Sequence, residues 1–77
     1  MSQATEKHRF VVCLNNDGYK ASLELRKLYR VIPDASAAKH GMIRVVDESG
    51  EDYVYAASQF GTVSIRRDIK QQLVKSA

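Results

Sequence analysis

The chain has no tryptophan, one proline, one cysteine and two histidines in 77 residues. Each scarcity removes a class of function. Cys13 alone closes no internal disulfide and builds no zinc site. With the polar start Met1 to His8, which has no apolar core of a cleaved leader, it predicts a cytoplasmic setting. His8 and His40 have no cysteine or carboxylate at a metal-ligand spacing. They read as exposed loop histidines, and no metal or other cofactor is expected. No apolar run approaches the ~20 residues of a spanning helix, so no membrane association is expected.

Catalytic patterns are also missing. Ser22, Ser36, Ser58 and Ser64 lie in no nucleophile elbow, and no glycine-rich phosphate loop exists. Cys13 sits in an apolar run, where a thiol is inert. Asp47, Glu48, Glu51 and Asp52 form the carboxylate cluster. They lack the spacing of a calcium loop and read as a polar hairpin turn. A domain this small buries only roughly 60–65% of its unfolded surface, which leaves little volume for a deep active site. A non-enzyme is expected.

What is present is a series of short strands. Phe10 to Leu14 (FVVCL) is apolar and rich in β-formers, and Asn15-Asn16-Asp17-Gly18 then turns the chain. Ala21 to Leu28 could form a helix by propensity, but Tyr19 to Leu25 alternates enough to favour an extended segment. Arg26-Lys27 interrupts the alternation, as a bulge or a kink would. Leu28 to Ile32 (LYRVI) resumes a strand that Pro33 ends. Asp34 to His40 has the composition of a short helix, with Asp34 as cap and Gly41 as stop. Met42 to Asp47 (MIRVVD) and Asp52 to Ala56 (DYVYA) form a hairpin around Glu48-Ser49-Gly50-Glu51. Thr62 to Ile65 gives a last strand. Alternation places Val12, Leu14, Val31, Ile43, Val45 and Val54 in the core.

Near the end the period changes. Ile65, Ile69 and Leu73 are four apart, the stripe of a helix that covers one end or edge of the strands. The expected organisation is a lead over residues 1–7, a barrel over 8–65, and a short helix and tail over 66–77.

Net charge is +3, unevenly spread. The early region and the tail are basic, and the hairpin turn between them is acidic. Arg26, Lys27, Arg30 and Arg44, with Tyr29, Tyr53 and Tyr55, form the candidate binding set. Cations that meet phosphates and rings that stack on bases are the pairing single-stranded nucleic-acid binders use.

The order LYRVIPD, a loop, GMIRVVDESGEDYVY, then ASQF before a last strand resembles an SH3-like barrel. In that fold a one-turn 3-10 corner joins the last two strands, and Ala57-Ser58-Gln59-Phe60 looks like it. The resemblance covers Phe10 to Ile65. More narrowly, the chain resembles small bacterial SH3-like barrel proteins of no settled function that carry the DESGEDY turn, and the resemblance carries over no activity. Proline-rich peptide recognition uses an aromatic groove that normally includes tryptophan, so no ligand residues transfer. The expected fold is therefore all-β, a small SH3-like antiparallel barrel with a short C-terminal helix. The expected function is a non-enzymatic interaction module for a protein partner. The alternative is a nucleic-acid-binding accessory domain that uses the basic and tyrosine residues on one face.

Overall fold

A computed structural model describes residues 9–76, with side chains described as far as Leu73. The expected lead over residues 1–7, and His8, lie outside the described residues. Five strands form one antiparallel sheet: β1 (Arg9–Cys13), β2 (Leu28–Ile32), β3 (Met42–Val46), β4 (Asp52–Ala56) and β5 (Phe60–Thr62). Their spatial order is β4-β3-β2-β1-β5. The sheet is open, with β4 and β5 at its edges. A 3-10 turn at Ala57–Gln59 joins β4 to β5. Helix α1 (Ala35–Lys39) sits between β2 and β3, and α2 (Arg67–Ser76) follows β5.

Local chemistry explains most boundaries. The Asp34 side chain accepts from the Ala37 N–H, and Gly41 follows α1 with φ of +69°. After β3, Gly50 takes φ of +84° in the hairpin turn. At Arg26 the expected bulge is present. The Arg26 N–H donates to the Cys13 carbonyl, and the Cys13 N–H donates to the Lys27 carbonyl. Two residues thus oppose one. Arg26 absorbs the twist with a φ of +61°, a region that favours glycine.

The segment Tyr19 to Leu25 departs from the extended reading. The N–H groups of Ser22 and Leu23 both donate to the Tyr19 carbonyl, which makes a tight turn. That turn drops Leu23 into the core, where it is fully buried. Burial of one leucine outweighs a weak alternation that offered no strand partner.

The inner face of the sheet holds Val11, Cys13, Tyr29, Val31, Val45 and Tyr55, closed by Leu23 and Phe60. Val31 and Val45 lie in the core as the alternation predicts, and Ile43 packs against it half-buried. In β1 and β4 the expected inner face is inverted. Leu14 is 59% exposed, Val12 is half-buried and Val54 is exposed. The register is the reason. Val11 pairs with Tyr29, and Cys13 pairs with Phe60, so Val11 and Cys13 share the face of those rings. In β4, Tyr55 pairs with Ile43 and turns inward, which sends Val54 out opposite Arg44.

Phe10 points to the other face of β1 and is still buried. Leu73 and Lys70 of α2 line grooves beside it. Both faces of β1 are therefore covered at least in part, which accounts for apolar residues on either side of the strand, while Leu14 just past its end stays exposed. Of the expected helical stripe, Ile65 precedes the helix and, like Leu73, is half-buried, while Ile69 is 46% exposed. Helix α2 thus lays one edge, not its full stripe, against the sheet.

Candidate functional site

The candidate binding set does not form one surface. Alternation along β2, β3 and β4 puts Tyr29, Tyr53 and Tyr55 on the inner face and Arg30 and Arg44 on the outer face. Tyr29 and Tyr55 are buried, so neither ring is open to a stacking base. Tyr53, near the hairpin turn, is 50% exposed. Arg26 lies on the bulge, and Arg30 is half-buried on the outer face.

Two of the four cations are held by carboxylates. The Lys27 ammonium pairs with Glu48 at 2.7 Å. The Arg44 guanidinium reaches Asp34 at 2.9 Å and Asp52 at 3.2 Å. Glu48 and Asp52, from the acidic hairpin, thus break the basic face. Asp34 also caps α1, and the Ala37 N–H with Arg44 holds its carboxyl below the ordinary range.

Around the hairpin the structure builds a polar cluster that alternation does not foreshadow. Asp47 is buried. Its Oδ1 accepts from the Ser49 N–H and hydroxyl, and its Oδ2 accepts from the Tyr55 hydroxyl at 2.6 Å. Burial alone would raise this carboxyl. The Ser49 hydroxyl, the Tyr55 hydroxyl and the Ser49 N–H outweigh it and hold Asp47 below its ordinary value. Glu48 accepts from Lys27 and from the Tyr29 hydroxyl, which in turn accepts from the Glu24 N–H. Lys27, then Tyr29, hold Glu48 low. Burial and then Asp47 push the Tyr55 phenol up to about 12. Burial and then Glu48 push Tyr29 up as well. The Glu48 N–H also donates to the Ser22 carbonyl, which ties the hairpin to the turn after Tyr19.

Beside this cluster lies a cleft of about 310 Å3. Tyr19 and Tyr53, 45% and 50% exposed, line it together with Asp47, Ser49 and Tyr55. Tyr19 meets Tyr55 edge-to-face with ring centres 5.0 Å apart. Tyr19 was outside the sequence-based set. Its signal was weak, because a tyrosine directly after a turn glycine reads as loop.

Along β4 the backbone itself is the exposed feature. At one end of the hairpin the Asp47 N–H donates to the Glu51 carbonyl; at the other the Ala57 N–H donates to the Gly41 carbonyl. Bonded pairs alternate in an antiparallel ladder, so Tyr53 and Tyr55 turn their backbone groups toward β3. Asp52, Val54 and Ala56 turn theirs to the open edge.

Cys13 is fully buried, and burial pushes its thiol up, away from the reactive thiolate. Among the described residues no group of three or more His, Cys, Asp and Glu is placed to hold a metal ion. No helix there is long and apolar enough to cross a membrane. No family model matches the chain, and no curated protein or solved structure is significantly similar to it.

Proposed function

We propose that this chain is a non-enzymatic interaction module that binds a protein partner by adding a strand to the β4 edge. The observation that carries the reading is that edge: outward N–H and C=O groups at Asp52, Val54 and Ala56, with Val54 and Tyr53 exposed along it. Edges of this kind pair with extended segments unless something covers or blunts them. A strand order of β4-β3-β2-β1-β5 and a 3-10 turn at Ala57–Gln59 also support an SH3-like arrangement. In this reading the protein works in the cytoplasm.

A nucleic-acid role draws less support, because Lys27 and Arg44 are engaged by carboxylates and the tyrosines face away from Arg30 and Arg44. One experiment separates the two readings. The tagged protein is used to capture partners from its host lysate, with and without nuclease, beside a Val54→Pro variant. Proline at Val54 removes an outward N–H and spares the bonds to β3. Its fold is verified by circular dichroism. The expected result is a protein captured by the parent chain, resistant to nuclease and lost with Val54→Pro. Equal capture by the variant overturns the edge reading, and loss on nuclease treatment favours nucleic acid.

A further inference from the structure

The cleft beside the β4 edge has the chemistry of a receptor for one cationic side chain. Asp47 lines it, ionised and buried, and among the described residues its hydrogen-bond donors are neutral: two hydroxyls and a backbone N–H. Among the described residues neither lysine nor arginine lines the cleft. The Tyr53 hydroxyl reaches Glu51 at 3.4 Å, which places a second carboxylate next to one lining residue. Tyr19 and Tyr53 add two exposed rings, whose faces attract cations. A buried negative charge, a neighbouring carboxylate and two aromatic side chains are complementary to a long, positively charged side chain. A volume of about 310 Å3 suits a single such chain and is small for a free cofactor.

The edge fixes how that side chain arrives. On an added strand, the residue opposite Tyr53 points to the same face as Tyr53, about 5 Å away. That is the inner face, where Tyr19 stands against Tyr55. The backbone of the partner would pair with Val54 and its neighbours, and its side chain opposite Tyr53 would enter between the rings. We propose that the Tyr19–Tyr53 cleft selects a lysine or arginine on an extended partner segment bound at β4. The proposal rests on the edge reading above and adds the residue type that the partner must present.

The test uses the whole chain, labelled with nitrogen-15, and a capped seven-residue peptide of alternating threonine and valine. Its centre carries lysine, arginine, norleucine or glutamate. The lysine and arginine peptides are expected to bind at least tenfold more tightly than the norleucine peptide. They should move the amide signals of Ser49, Tyr53 and Val54, and their advantage should shrink as salt rises. Tyr19→Ala, with its fold verified by the dispersion of its amide signals, should reduce them to the norleucine level. Equal binding of lysine and norleucine peptides overturns the cleft proposal while leaving the edge reading standing. No shift with any peptide also overturns it, and the Val54→Pro comparison on the native partner then decides the edge reading separately.

Discussion

The Tyr55 hydroxyl donates to the Asp47 carboxylate at 2.6 Å, so a core ring on β4 is tied to the first residue of the hairpin turn. Tyr29 makes the matching bond from β2 to Glu48, the next residue along. Adjacent carboxylates of the DESGEDY turn thus hold two core tyrosines that lie on strands separated by β3. The pair explains how polar tips are accommodated at the rim of an apolar core.

Removal of either partner should be costly. Tyr55→Phe leaves a buried carboxylate short of a donor, and a hydrogen bond to a charged group contributes about 1.5–3 kcal/mol. Asp47→Asn should cost a similar amount. The double variant should cost less than the sum, because both changes break the same bond. Urea midpoints of the three variants measure this, and strict additivity would contradict the coupling.

Stability should depend on pH at both extremes. Asp47 and Glu48 are held below their ordinary values of 3.8 and 4.5, and Asp34 also lies below 3.8. A carboxyl depressed on folding stabilises above its unfolded value and loses that contribution as pH falls through the folded value. Stability should therefore decline from about pH 4.5 downward. Tyr55, raised from 10.0 to about 12, runs the other way. Its contribution is complete below pH 10 and is lost as pH rises toward about 12. Urea midpoints across pH give the measurement. A flat acid limb would sink the account of Asp47 and Glu48, and Tyr55→Phe should flatten part of the alkaline limb.

The inverted face of β1 is open to a direct comparison. Val45→Ala should cost about 1–4 kcal/mol and Leu23→Ala about 2–5, since both side chains are fully buried. Leu14→Ala should stay within about 0.5 kcal/mol, because Leu14 is mostly exposed. If Leu14→Ala proved as costly as Leu23→Ala, the register of β1 against β2 and β5 would be wrong.

Helix α2 should matter through Leu73 more than Ile69. Leu73→Ala uncovers the groove beside Phe10, whereas Ile69 is largely in solvent. Hydrogen exchange at Phe10 and Val12 should accelerate in Leu73→Ala and stay near the parent rate in Ile69→Ala. The reverse order would mean that the helix docks on its other edge.

The order of the first four strands, the capped helix after Pro33, the bulge at Arg26 and the hairpin at Gly50 were legible in the sequence, whereas the last strand runs Phe60–Thr62 and not Thr62 to Ile65. They rest on local chemistry: alternation, a side-chain cap, an interrupted pattern and a turn glycine. Which face of each strand is the inside was legible only in part. FVVCL is apolar on both sides, so its pattern carries no preference. The pairing of Val11 with Tyr29 and Cys13 with Phe60 made the choice. The tyrosines and arginines likewise alternate along β2 to β4, and pairing across strands put them on opposite faces. Leu23 and Tyr19 were hidden for the same reason. Their roles come from a turn that folds back onto β3 and β4, a contact made across distance in the chain. Sequence spacing reports neighbours within a turn or two, while burial and charge pairing are settled by which segments meet.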